Sequence, residues 1–97
     1  MKIWDKEILD KYALKHADIV NALQRWVEFV EEIEWKSHVE LKSDFPTADY
    51  VGNNRYVFDI RGNKYRIVTV AVFISGILQI RFIGTHAEYN KIDCKII

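Results

Sequence analysis

A histidine and a tyrosine follow the last strand-like stretch of the sequence, and together they could do proton chemistry. They lie in residues 84–89, where Thr85-His86-Ala87-Glu88 has the form of a helix-capping box. Tyr89 comes three positions after His86 and would lie on the same side of that helix. The start of a helix offers free N–H groups and partial positive charge, which suit a phosphate and favour a neutral imidazole. His86 is therefore a candidate general base.

Arg66 can be placed on a sheet face by the hairpin that precedes it. If Gly62-Asn63 is a two-residue loop, Asp59 lies directly opposite Arg66. Opposite charges in such a pair stabilise the register. Arg66 and Asp59 are therefore predicted to share a face, with Lys64 nearby.

A second hairpin predicts the face on which Arg81 lies. If Ser75-Gly76 is also a two-residue loop, Ile74 pairs with Ile77, and Arg81 shares the face of Arg66. A slip of one residue in either hairpin would separate the two arginines. Valines, Gln79 and Ile83 are predicted to share this arginine face. The opposite, apolar face should carry Phe58, Ile60, Ile67, Thr69, Ala71, Phe73, Leu78, Ile80 and Phe82.

The elements that must position these side chains can be predicted from periodicity. Asp5 can cap a first helix, and residues 18–34 have the spacing of a second, amphipathic helix. Ser37-His38-Val39-Glu40 should open a short helix that ends at Phe45-Pro46. Strands are predicted at residues 49–51, 56–60, 64–73 and 78–83, followed by a helix that runs towards Cys94. The fold class is α+β: two N-terminal helices packed on a three- to four-stranded antiparallel sheet, with a short C-terminal helix. Trp4, Trp26 and Trp35 are predicted to anchor the core.

Length and composition limit the function classes that remain. The 97 residues form one domain, 1–97, and 14 Lys plus Arg balance 14 Asp plus Glu. Nucleic-acid coats are usually basic, so any RNA site must be a local patch. One cysteine and three scattered histidines show neither a disulfide framework nor metal-ligand spacing. No leader pattern and no apolar run of ~20 residues is present, so a cytoplasmic protein is expected.

Five motifs follow one another along the chain. They are Trp35-Lys36-Ser37, Phe45-Pro46-Thr47-Ala48-Asp49, Arg55-Tyr56-Val57-Phe58, Gly62-Asn63-Lys64-Tyr65-Arg66 and Gly84-Thr85-His86-Ala87-Glu88-Tyr89. Taken in order, they resemble the HigB toxin family of RelE/ParE-like toxins, and the ordered set is more specific than any one of its members. His38 stands where many relatives have proline, which should alter a turn and leave the chemistry unchanged.

The resemblance implies a RelE-like fold with an RNA site on an exposed sheet face. It also implies an endoribonuclease that cleaves mRNA in the ribosomal A site. The partner would be a HigA-type antitoxin with a helix-turn-helix domain, and DNA would be reached only through that antitoxin. No metal or cofactor would be required, because the nucleophile is the 2′-hydroxyl of the RNA itself.

The same resemblance implies roles for seven side chains. Arg66 and Arg81 would bind the phosphorane-like oxygens, and His86 would act as acid or base with Tyr89 as its partner or as a stacking platform. Which residue takes which proton step is left open. Lys64, Lys36 and Asn63 are the candidates for holding the RNA backbone.

Two other functions are compatible with the sequence. Some RelE/ParE folds act on targets such as gyrase without cutting RNA, and the neutral net charge favours that alternative modestly. A degenerate toxin that only binds its antitoxin is the other. The antitoxin could dock either on the acidic helix face around Glu28, Glu31 and Glu32 or on the basic sheet face.

Overall fold

The computed structural model describes residues 1–97 and contains four α-helices and five strands. The helices are α1 (Glu7–Ala13), α2 (Val20–Glu32), α3 (His38–Asp44) and α4 (His86–Tyr89). The strands are β1 (Lys2–Trp4), β2 (Asp49–Gly52), β3 (Arg55–Ile60), β4 (Tyr65–Val72) and β5 (Ile77–Thr85). They form one sheet in the order β1-β5-β4-β3-β2. The predicted α+β class is confirmed. None of the helices combines the length and apolar character needed to cross a membrane.

The sheet has one more strand than the sequence predicted. β1 pairs in parallel with β5, with Lys2 opposite Ile77 and Trp4 opposite Gln79, while the other pairings are antiparallel. A three-residue strand beside charged residues has too little alternation to be recognised from sequence. Asp5, the predicted helix cap, has a positive φ of 61° and accepts a hydrogen bond from Gln79 Nε2 at 2.8 Å. The capping prediction is therefore wrong, and Asp5 joins α1 to β5 instead.

The hairpin between β3 and β4 has the predicted register. Asp59 pairs with Arg66 and Ile60 with Tyr65, across a turn at residues 61–64. The hairpin between β2 and β3 turns at Asn53-Asn54, where both residues have positive φ, as a type I′ turn requires. These local pairings are specified by turn residues and by cross-strand charge.

The hairpin between β4 and β5 differs from its prediction in two ways. Its loop contains a 3₁₀ turn, Phe73–Ser75, so Val72 rather than Ile74 faces Ile77. A shift of two residues does not by itself move any side chain to the other face. A bulge then leaves Arg81 without a direct partner, between the pairs Thr69–Ile80 and Val68–Phe82.

The bulge moves the residues after it to the opposite face. Ile83, predicted beside the arginines, is in the core with 6% of its surface exposed. Phe82, predicted in the core, is instead half-buried opposite Val68. Both predictions were wrong because an unpaired residue inverts the alternation that follows it.

The core lies between the helices and the apolar face of the sheet. α2 buries Leu23, Trp26 and Val30 against it, which confirms the predicted amphipathic helix except at its ends. The other sheet face is partly covered, since Val57 and Val68 are also buried. Residues 90–97 bind to that side through main-chain oxygens of Lys95 and Ile97. The expected exposed face is therefore exposed only in part.

Candidate active site

The sheet face opposite α2 carries four charged side chains, which we call the arginine face: Arg55, Asp59, Arg66 and Arg81. Strand alternation and the pairing of Asp59 with Arg66 place the first three together. The bulge keeps Arg81 on the same side, where its Nε donates to Ile97 O at 3.1 Å. Arg66 pairs with Gly84, three residues beyond Arg81, so their backbones are about 10 Å apart along the strand. The prediction that Arg66 and Arg81 share a face is confirmed.

Tyr89 packs its ring against Arg66. The guanidinium carbon of Arg66 lies 4.7 Å from the ring centroid, within cation–π distance. The Nε of Arg66 lies 3.3 Å from Asp59 Oδ1, at ion-pair distance but without hydrogen-bond geometry. Burial, followed by the hydrogen bond that the Tyr89 hydroxyl donates to Cys94 Sγ, raises the pKa of Tyr89 to about 12. The phenol is protonated at neutral pH, and the raised pKa makes it a weaker acid than that of an ordinary tyrosine.

His86 begins α4, which is a single turn and does not extend to Cys94 as predicted. The capping box is confirmed: Thr85 Oγ1 accepts from Glu88 N at 3.2 Å, and Thr85 N donates to Glu88 Oε1 at 2.8 Å. His86 N donates to Lys64 O at 3.3 Å. Three N–H groups at this helix start, those of Thr85, His86 and Glu88, already have acceptors, and the Glu88 carboxylate lies beside them, so few N–H groups are free for a phosphate.

The imidazole of His86 is exposed and has one side-chain partner. Its Nδ1 lies 3.3 Å from the amide nitrogen of Asn90. With the amide in that orientation, Nδ1 accepts the hydrogen bond and the proton of a neutral ring lies on Nε2. Nε2 is thus the nitrogen that carries the transferable proton of the neutral ring.

A tyrosine on α1 holds α4 in place. The Tyr12 hydroxyl donates to Glu88 Oε1 at 2.8 Å, across 76 residues of sequence. The hydrogen bond from Thr85 N, and then that from Tyr12, lowers the pKa of Glu88. Burial and the same carboxylate raise the pKa of Tyr12. The ionised capping carboxylate is thus tied to α1, and the position of His86 depends on a contact between distant elements.

The three predicted RNA-binding residues do not form one cluster, because Lys36 lies apart from Asn63 and Lys64. Lys64 Nζ is 2.6 Å from Asp18 Oδ2, on the helical side of the molecule. Lys36 forms a 3.3 Å ion pair with Glu34, which lies beside Gly76 at the end of β5 farthest from His86. Asn63 is exposed in the turn before β4. The main chain of Lys64 is hydrogen-bonded to His86, and Asn63 precedes Lys64 in the same turn, whereas Lys36 is not near His86.

Arg55 is a basic residue of the arginine face that the sequence-based assignment of site residues omitted. It donates from Nη1 to Asn53 O and from Nη2 to Ile97 O, both at 2.9 Å. The signal was available, because Arg55 stands four residues before Asp59 on the same strand. Strand alternation places such residues on one face.

Similarity to known proteins identifies the family of this chain. Residues 19–92 match the family model of the HigB toxin, described as the RelE-like toxic component of a toxin-antitoxin system. The chain belongs to the HigB toxin family. It is 28% identical to the "mRNA interferase HigB" of Escherichia coli O6:H1 (strain CFT073) over 94 residues, 95% of this chain and 91% of that relative. It is 37% identical to the "mRNA interferase toxin HigB" of Escherichia coli K12 over 59 residues, 58% of this chain and 56% of that relative.

One carboxylate should make the stability of this HigB-family chain depend on pH in the acid range. Asp18 accepts from Lys64 Nζ and the Tyr65 hydroxyl, at 2.6 and 2.7 Å, and these bonds lower its pKa from 3.8 to about 2. A lowered carboxyl pKa contributes stability that is present above pH 4 and is lost as the pH falls towards 2. We expect Asp18→Asn to be less stable than wild type at pH 6, with the gap closing between pH 4 and 2. Urea unfolding at stepped pH measures this, and a gap that stays constant would contradict it.

Proposed function

We propose that this protein is a toxin that cleaves mRNA. The observation that carries the proposal is the arrangement of four side chains. Arg66 and Arg81 share one sheet face, Tyr89 packs on Arg66, and His86 begins the helical turn that Tyr89 ends. The family description and the names of the two relatives support the same activity.

The reaction would use the 2′-hydroxyl of the RNA as the nucleophile. The 2′-oxygen attacks the adjacent phosphorus in line with the 5′-oxygen, which departs. A base removes the proton of the 2′-hydroxyl, and an acid protonates the 5′-oxygen. The products are a 2′,3′-cyclic phosphate and a new 5′-hydroxyl end. Negative charge grows on the non-bridging oxygens, and nearby cations stabilise it.

The side chains fit these steps in the following way. Arg66 and Arg81 would donate charge-assisted hydrogen bonds to the non-bridging oxygens. His86, exposed at the end of the face, would take or give a proton. Tyr89 is protonated at neutral pH, as an acid must be, but its raised pKa makes it a weaker acid than an ordinary tyrosine, so it also suits the role of a stacking platform.

The remaining predicted residues are assigned to RNA backbone binding. Lys64 would have to exchange Asp18 for a phosphate, and Asn63 lies beside it in the same turn. Lys36 would contact only RNA that extends to the far end of the sheet. A substitution at Lys36 should therefore weaken RNA binding less than a substitution at Lys64 or Asn63.

The proposal includes two partners. The family is the toxic component of a toxin-antitoxin system, which supports an antitoxin partner, and we propose a HigA-type helix-turn-helix protein. We further propose that the mRNA is cut on the ribosome. The balanced net charge supports this, because a chain with 14 basic and 14 acidic residues has little general attraction for free RNA.

Mapping of transcript 5′ ends after induction tests the proposed activity. New 5′-hydroxyl ends within translated coding sequences are expected, and they should disappear when initiation of the mapped transcript is blocked. Co-expression of its HigA-type antitoxin should suppress both the new ends and the growth arrest. Unchanged transcripts with DNA damage would instead indicate a gyrase-type target. Unchanged transcripts with normal growth would indicate an inactive antitoxin partner.

A further inference from the structure

A single oxygen of Glu88 joins two distant parts of the molecule. Glu88 Oε1 accepts from Thr85 N at 2.8 Å, which completes the cap of α4, and from the Tyr12 hydroxyl on α1, also at 2.8 Å. The cap fixes where the α4 turn begins, and His86 is the first residue of that turn. The position of the imidazole is therefore linked to α1 through one acceptor atom.

The α4 turn needs contacts of this kind because it is too short to be stable by itself. It has four residues, whereas isolated helices of fewer than about 12 residues are marginal in water. Two further contacts hold it, the hydrogen bond from His86 N to Lys64 O and the packing of Tyr89 on Arg66. Tyr12 supplies the one side-chain hydrogen bond that reaches α4 from another helix. Loss of that bond should leave the turn more loosely held where His86 lies.

The hydroxyl of Tyr12 is held in place for this contact. Its ring stacks on His16, with centroids 4.0 Å apart and planes at 9°, and meets Tyr65 edge-on at 5.9 Å. Burial, followed by the hydrogen bond to Glu88, raises the pKa of Tyr12, so the hydroxyl keeps the proton that it donates. The donor is therefore preorganised, and removal of its oxygen alone leaves the stacked rings in place.

We propose that Tyr12 is a positioning residue for His86: through Glu88 it holds the α4 turn in the orientation that RNA cleavage requires. The inference rests on the proposed function for the nature of the reaction. Tyr12 itself exchanges no proton with the RNA in this role. Misplacement of a reacting group by about 1 Å can slow a reaction by about 10²-fold, so a loosened turn should lower the rate of cleavage more than the affinity for RNA.

Tyr12→Phe tests this role because it removes the hydroxyl and keeps the ring. The measurement is single-turnover cleavage of an mRNA on translating ribosomes, with the purified protein in increasing excess. The rate constant at saturation should fall roughly three- to thirtyfold, whereas the protein concentration that gives half of that rate should change by less than about twofold. An unfolded fraction of the protein would leave the saturating rate constant unchanged, so this readout separates positioning from stability.

Two comparisons show whether Tyr12 acts through Glu88 and on His86. In a double-mutant cycle with His86→Ala, Tyr12→Phe should have little further effect, because the group that it positions is already absent. Glu88→Gln keeps a side-chain oxygen that can accept from both Thr85 N and Tyr12, so it should retain more activity than Glu88→Ala.

Tyr56 provides the matched control for loss of a phenolic oxygen. Its hydroxyl also has a side-chain partner, His38 Nδ1 at 2.7 Å, which lies on α3. Neither residue is hydrogen-bonded to α4. Tyr56→Phe should therefore cleave at the wild-type rate under the same conditions.

The possible outcomes distinguish this inference from the proposed function. If Tyr12→Phe has the saturating rate of wild type, or if Tyr12→Phe and His86→Ala lower the rate independently, Tyr12 does not position His86. Equal rates for Glu88→Gln and Glu88→Ala would also overturn the inference, because the shared acceptor oxygen would not account for the effect. Each of these results leaves cleavage by the wild-type protein intact. If the wild-type protein cuts no mRNA on ribosomes, the proposed function fails and the inference fails with it.

Discussion

Replacing His86 with alanine is expected to relieve the growth arrest that induction of the wild-type protein causes. Loss of a general acid or base lowers a rate by about 10²–10⁴-fold, so new 5′ ends should fall by a similar factor. His86 is exposed and its only side-chain partner is Asn90, so the fold should persist. Growth after induction, transcript 5′ ends and thermal unfolding measure the three expectations.

A second histidine provides the matched control. His38 is also exposed, and its Nδ1 lies 2.7 Å from the Tyr56 hydroxyl, on α3 and away from the arginine face. His38→Ala should remain toxic, which would show that loss of an imidazole alone is not sufficient. A toxic His86→Ala that still produces new 5′ ends would remove His86 from the mechanism. Failure of both variants to accumulate as folded protein would appear in the unfolding measurement.

Replacing Trp35 with alanine should cause the largest loss of stability. Trp35 is 1% exposed, stacks on Phe58 at 6.3 Å, and donates from Nε1 to Asp44 Oδ2 at 2.8 Å. Truncation of a buried tryptophan leaves a cavity and costs about 3–5 kcal/mol. Against a total of about 5–15 kcal/mol, this removes a large part of the free energy of unfolding. Urea denaturation measures the difference.

Trp4 is the control for this substitution, and it corrects a sequence-based prediction. Trp26 and Trp35 are buried as predicted, but Trp4 on β1 is 49% exposed. Trp4→Ala should therefore cost much less than Trp35→Ala. Trp35→Phe, which keeps an aromatic ring but loses the bond to Asp44, should fall between them and provides a measurable protein if the alanine variant does not fold. Equal losses for Trp4→Ala and Trp35→Ala would contradict this account of the core.

Local signals predicted the parts of the fold that depend on neighbouring residues. The amphipathic spacing of α2, the Thr85–Glu88 capping box and the register of Asp59 with Arg66 were all recognised in this way. In each case the stabilising contact joins residues close in sequence or in one tight hairpin. Such contacts are encoded by residue types at fixed spacings.

Contacts between distant residues were not predictable in that way. Pairing of β1 with β5, the bond from Tyr12 to Glu88 and the bond from Lys64 to Asp18 each join elements far apart in the chain. No spacing rule connects such residues, because their approach depends on how the whole sheet and its helices pack. This is why Lys64 was predicted beside the arginines and is found on Asp18.

The sequence by itself determined the family resemblance, the α+β class and the pairing that places Arg66 on one face. Only the tertiary structure decided which other side chains lie on that face and which part of it is covered. A bulge at Arg81, unmarked by glycine or proline, moved Phe82 and Ile83 to opposite faces from those predicted. Residues 90–97 then cover part of the arginine face and bring Arg55 and Arg81 to one oxygen. Both features arise from packing across the sheet, where the energy of many long-range contacts outweighs the local alternation of side chains.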